Sequence, residues 1–132
     1  MTSNIDTLCL TAIVKKPIKN NFEGMRNQIN QDLQRFKILT DNLQGDFVIF
    51  GAGHYSQLLC SLIYDKYKIK PKRIFDSNKQ KCGNKILDVV IEHKDNIENV
   101  ENCSCVIIAG IYNDEIYESL KNKNFKEVIK WN

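Results

Sequence analysis

Residues 46–56 read D-F-V-I-F-G-A-G-H-Y-S, and this stretch limits the possible folds more than any other in the chain. The apolar run Phe47-Val48-Ile49-Phe50 stops at Gly51-Ala52-Gly53. An apolar-periodic segment follows, with Leu58, Leu59, Leu62 and Ile63 on one stripe. The pattern predicts a strand, a glycine turn and a helix. In such a unit the first N–H groups of the helix have no partner within it, and the helix dipole favours an anion in front of them. Gly51 suits the tight turn, and Gly53 leaves room for a ligand to approach the backbone. The turn therefore points to a phosphate or nucleotide and specifies no reaction.

The remaining pattern alternates. A β-branched and apolar run at residues 7–14 reads as a strand, and Lys15-Lys16-Pro17 ends it. A long helix is predicted over residues 21–43, where Phe22, Met25, Ile29, Leu33, Phe36, Leu39 and Leu43 form one apolar stripe. Two uses of that stripe are open: core packing within the chain, or a seam for a second copy or another domain. Further strands are expected at residues 72–75, 89–91, 104–109 and 127–131. Helices are expected at 54–67, weakly at 94–99, and at 114–123 with Ile116 and Leu120 inward. Strands alternating with helices imply right-handed crossovers and a mostly parallel sheet with helices on both faces. The fold class expected is thus α/β, preceded by an N-terminal strand and a long amphipathic helix. The five main strands should lie in the order 3-2-1-4-5, with a ligand at the strand ends where the winding reverses. The domain reading is an N-terminal strand and linker over 1–20 and one binding domain over 21–132.

Composition narrows the partners. A net charge of +3 is spread without a basic stripe interleaved with aromatics, so nucleic acid is not the expected partner. No apolar run approaches the roughly 20 residues of a membrane span, and no signal peptide is apparent, which makes a cytoplasmic location the default. The cysteines Cys9, Cys60, Cys82, Cys103 and Cys105 form no C-x-x-C pair, and His54 and His93 offer no ligand spacing. Free thiols and no metal site are expected. Cys103 and Cys105 should face the same side of a strand.

The candidate ligand contacts are Gly51, Ala52, Gly53, His54, Tyr55, Ser56, Asp76, Asn78, Gly110, Tyr112 and Asn113. Ser56 stands where a dinucleotide fingerprint has its third glycine, which weakens an NAD(P) assignment. Asp76 ends the second strand and has two possible roles, gripping a ribose diol or capping the turn that follows it. His54 can serve as a base, as a phosphate donor, or as a plain solvated residue at the helix start. Tyr55 can stack on a base or sugar. Asn78 suits shaping of its turn, and Asn113 or Asp114 suits the N-cap of the next helix. Gly110 and Tyr112 belong to the loop that faces the glycine turn across the point of reversal.

Three runs carry a family resemblance: V-I-F-G-A-G-H-Y-S-Q-L-L, R-I-F-D-S-N-K-Q-K-C-G-N-K-I and C-V-I-I-A-G-I-Y-N-D-E-I-Y-E-S-L. Together with the preceding long helix they resemble the C-terminal Rossmann-like domain of bacterial sugar-nucleotide C-methyltransferases. In that family a D-x-N-x-x-K-x-G segment follows the second strand, and Asp76, Asn78, Lys81 and Gly83 match it. The strand at 7–14 would then resemble the last strand of a preceding methyltransferase domain. The glycine turn is also similar to the G-A-x-G-H turn of the nucleotide-sugar-binding N-terminal domain of sialic-acid and bacillosamine-type sugar acetyltransferases, one residue shorter here. The resemblance implies a domain that holds the sugar nucleotide or shapes its cleft and leaves donor chemistry to other parts of the enzyme. The resemblance also implies a nucleotide-sugar ligand, surface-polysaccharide synthesis and a methyltransferase domain as partner; the stripe of the 22–43 helix leaves a second copy of the chain open as the other partner. An NAD(P)-dependent oxidoreductase and a non-catalytic dimerisation scaffold are the rival expectations.

Overall fold

The computed structural model describes residues 19–132, with side chains from residue 23 onward. The strand expected at 7–14 and most of the linker fall outside the described residues. The chain divides into two compact units, one containing the first helix together with Leu58–Lys70, the other formed by Leu43–Gln57 and Pro71–Asn132.

In the first unit, α1 spans Lys19–Asn42, starting two residues before its expected limit and ending one residue short of it. Leu33 and Phe36 of the apolar stripe are buried, and Met25, Ile29 and Leu39 are half-buried. Asp32 lies buried beside them because Gln28 Nε2 and Arg35 Nη2 each donate to its Oδ1 at 3.0 Å, which offsets the cost of removing a carboxylate from water. The other segment of the unit belongs to α2, which spans His54–Tyr67, and buries Leu59, Cys60, Leu62 and Ile63. The Lys37 ammonium sits 5.4 Å from the centre of the Tyr67 ring, a cation–π contact between the two segments.

The second unit is built on six strands: β1 (Phe47–Phe50), β2 (Arg73–Asp76), β3 (Lys85–Ile86), β4 (Val89–His93), β5 (Ser104–Ile107) and β6 (Glu127–Lys130). They form one sheet in the order β3-β4-β2-β1-β5-β6. All pairings are parallel except β3 with β4. The five expected strands therefore take the 3-2-1-4-5 order, and β3 is an addition at the edge. Every residue of β1 and β5 is buried, which explains why all but Ser104 are apolar. Val48, Phe50, Phe75, Cys105, Ile107 and Cys103 share one core cluster with Leu120 of α3, which spans Asn113–Leu120. The two cysteines thus lie in the same core.

The helix expected at 114–123 ends at Leu120, and two further local expectations change. The crossover after β4 contains a single 3₁₀ turn, Lys94–Asn96, in place of the weak helix expected at 94–99. Its Asp and Asn residues compete for backbone hydrogen bonds, and Asn99 takes a left-handed φ of 55°. Strand β3 was not expected at all. It folds back on β4 through Leu87 and Asp88, whose φ values are 53° and 67°, so both central residues of the hairpin turn are left-handed. Such turns normally announce themselves by glycine or asparagine, and this one carries neither.

Candidate functional site

The second unit contains a cleft of about 790 Å³ at the C-terminal ends of β1, β2, β4 and β5. It lies where β1 is flanked by β2 on one side and β5 on the other, the place where the winding of a parallel sheet reverses. The volume is within the range of about 300–1,000 Å³ typical of small-molecule sites.

The glycine turn forms the floor. Gly51 donates its N–H to the Phe75 carbonyl at 2.8 Å and has a φ of 118°. A Cβ there would lie 2.1 Å from the Ile108 carbonyl oxygen, so the turn requires glycine in order to pack on the end of β5. Ala52 donates its N–H to Asp76 Oδ2 at 2.7 Å, and Gln57 Nε2 donates to the Ala52 carbonyl at 2.9 Å. Gly53 differs from Gly51 in every respect. Its φ is ordinary, and a Cβ on it would meet no atom within 4 Å. Its carbonyl accepts the first helical bond of α2, from Gln57 N–H at 2.9 Å. As the N-cap it has no side chain, so it supplies no partner for the N–H groups of His54, Tyr55 and Ser56.

His54, Tyr55 and Ser56 all line the cleft. His54 is exposed. Tyr55 is fixed at the rim by its hydroxyl oxygen, which accepts from Trp131 Nε1 at 2.9 Å. Ser56 is 1% exposed, and its buried Oγ has no hydrogen-bond partner. An orphaned hydroxyl is uncommon, because a buried polar group without a partner costs about 1–3 kcal/mol.

Asp76 combines two jobs. Its Oδ2 holds the glycine turn through Ala52, and its Oδ1 accepts from Asn78 N–H at 2.7 Å. The turn-capping role is therefore present, with both carboxylate oxygens engaged. Asn78 Oδ1 accepts from Gln80 N–H at 2.9 Å and caps the 3₁₀ turn Lys79–Lys81. Asn78 shapes the loop and does not line the cleft, whereas Lys81 at the end of that turn does.

The opposite wall is the loop after β5. Ala109, Gly110 and Tyr112 line it, with Glu115, Ile116 and Ser119 of α3 behind them. Asn113 is 3% exposed and is not part of the lining. It does not cap α3 through its side chain; the N-cap position is Tyr112. Asn113 Oδ1 accepts from Ala109 N–H at 2.8 Å, and its Nδ2 donates to the Trp131 carbonyl at 2.7 Å. It clamps the loop to the end of the chain, and Trp131 carries that connection on to Tyr55.

Sequence reasoning missed Lys94, Glu115, Ile116 and Ser119, because nothing in their spacing marks them. Arg73 makes a bidentate pair with Glu92 at 2.8 and 2.9 Å and donates to the carbonyls of Asn96 and Glu98. The Glu92 hydrogen bonds push the guanidinium pKa up further. Among the described residues no group of three or more His, Cys, Asp or Glu side chains is placed to hold a metal ion. No helix among them is long and apolar enough to cross a membrane. Compared with known proteins, the chain matches no family model and no curated protein.

Proposed function

We propose that this cleft binds a nucleotide or nucleotide-activated sugar through its phosphate groups. The chain would then act as a Rossmann-like module of a sugar-modifying, methyltransferase-type enzyme. The observation that carries the reading is the start of α2: a helix N-terminus that opens into the cleft beneath a glycine whose missing Cβ leaves empty space. The orphaned Ser56 hydroxyl supports it independently, as a buried group that a phosphate oxygen would satisfy. The position at the reversal of a parallel sheet and the resemblance of the three quoted runs agree with it.

The role assigned to these residues is binding, with donor chemistry left to a partner domain. Asp76 is given no ligand contact in this reading, since both its oxygens already hold the surrounding loops. A thermal-shift panel of UDP-, dTDP-, GDP- and CDP-sugars, NAD(H), NADP(H) and S-adenosylmethionine tests the reading. A ligand at 100 times its Kd adds about 2.7 kcal/mol of stability, so one nucleotide sugar should raise the melting point by several degrees. A shift with NAD(H) alone would favour an oxidoreductase. No shift with any phosphate-bearing ligand at millimolar concentration would overturn the proposal.

A further inference from the structure

The loops after β2 and β4 are built alike. After each of these neighbouring strands a side chain caps a short 3₁₀ turn, and each turn delivers one lysine to the same cleft. After β2, Asn78 Oδ1 accepts from Gln80 N–H, and the turn brings Lys81 to the wall, half-buried. After β4, His93 Nδ1 accepts from Asp95 N–H at 3.3 Å, and the turn opens with Lys94. Lys79, in the same turn as Lys81, is exposed and lies outside the cleft. Neither cleft lysine has a hydrogen bond or ion pair through its ammonium among the described residues. Of the two carboxylates that line the cleft, Asp76 is occupied by two backbone N–H groups. The other carboxylate lining the cleft, Glu115, belongs to α3 on the opposite wall.

Two lysines that line one cleft with no partner for either ammonium leave positive charge open to an anionic ligand. We propose that Lys81 and Lys94 form a second anion subsite beside the α2 N-terminus, so that the ligand carries two anionic groups. This inference rests on the nucleotide reading above. The helix N–H groups and Ser56 take the first phosphate; the lysines take the second group. Two sources can provide it, the distal phosphate of a diphosphate or a carboxylate on the attached sugar.

Calorimetric titration separates the cases. Matched pairs of nucleoside mono- and diphosphates (UMP/UDP, dTMP/dTDP, GMP/GDP, CMP/CDP) are titrated into the wild type, Lys81→Met, Lys94→Met and the double variant. UDP-glucose and UDP-glucuronate form a further pair. Both lysines are solvent-accessible, and unchanged melting curves confirm that the variants fold. The diphosphate of the preferred base should bind about tenfold or more tighter than its monophosphate. In the double variant that preference should shrink to about twofold while monophosphate affinity stays unchanged. A lysine-dependent preference for UDP-glucuronate over UDP-glucose, with none for UDP over UMP, supports the subsite and assigns it to a sugar carboxylate. Nucleotides that bind with no lysine-dependent increment in either pair overturn this inference alone. No binding by any of them overturns the nucleotide reading as well.

Discussion

A Cβ on Gly51 would lie 2.1 Å from the Ile108 carbonyl oxygen, whereas a Cβ on Gly53 would meet nothing within 4 Å. Two glycines separated by one residue thus respond differently to substitution. Gly51→Ala places a methyl group against backbone at a φ of 118° and should cost about 2–4 kcal/mol, lowering the melting point by about 10 °C. Scanning calorimetry checks this, and a shift of under 2 °C would mean the turn relaxes easily. Asp76→Ala removes the acceptor for both Ala52 and Asn78 N–H groups. It should increase hydrogen exchange at those two amides while leaving exchange in β1 and β5 unchanged. The glycine turn and Asp76 were legible in the sequence because backbone chemistry demands those residue types at those places. The Asp76 link to Ala52 was not legible, since 24 residues separate the partners. Ser56 was visible only as a small residue in a glycine position; its orphaned hydroxyl appears once the helix is packed.

Among the elements, those with strong periodicity matched expectation and those governed by turn chemistry did not. The 54–67 helix has the limits expected of it, and α1 differs by one or two residues at its ends. The Leu87-Asp88 hairpin was missed because its left-handed residues include a leucine, which gives no turn signal. Replacing that dipeptide with Asn-Gly relieves two left-handed non-glycine positions. The exchange should raise stability by about 1 kcal/mol. Chemical denaturation reads it out, and a loss of stability would show that the Leu87 side chain contributes more than its backbone strain costs. In α1, Phe36 is 1% exposed, so the described chain already uses this part of the stripe as core. Phe36→Ala should therefore cost about 3–5 kcal/mol at any protein concentration. A cost that appears only at concentrations where the chain self-associates would instead identify the stripe as a seam between copies.

At the scale of the whole molecule, the sheet sets both stability and the location of the cleft. The strand order was legible because strand patterns alternate with helical ones along much of the chain, and right-handed crossovers leave few arrangements. Which lysines reach the cleft was not, because that depends on two 3₁₀ turns on adjacent strands. Burial of Cys105 in β5 pushes its thiol pKa up from 9.0 to about 12. The folded state then holds this proton more tightly than the unfolded state. Its contribution is fully present below pH 9 and is lost as pH rises towards 12. Stability should fall with a slope approaching about 1.4 kcal/mol per pH unit in that window. Cys105→Ala should flatten the slope, and an identical slope in the variant would count against the burial. The central claim is phosphate binding in the cleft of the second unit, and Gly53→Val tests it most directly. The valine side chain projects into open space, so the melting point should fall by only a few degrees. Calorimetric titration with the nucleotide sugar that stabilises the wild type should then show affinity reduced by at least about a hundredfold. A folded Gly53→Val protein that binds this ligand as tightly as the wild type would contradict the account.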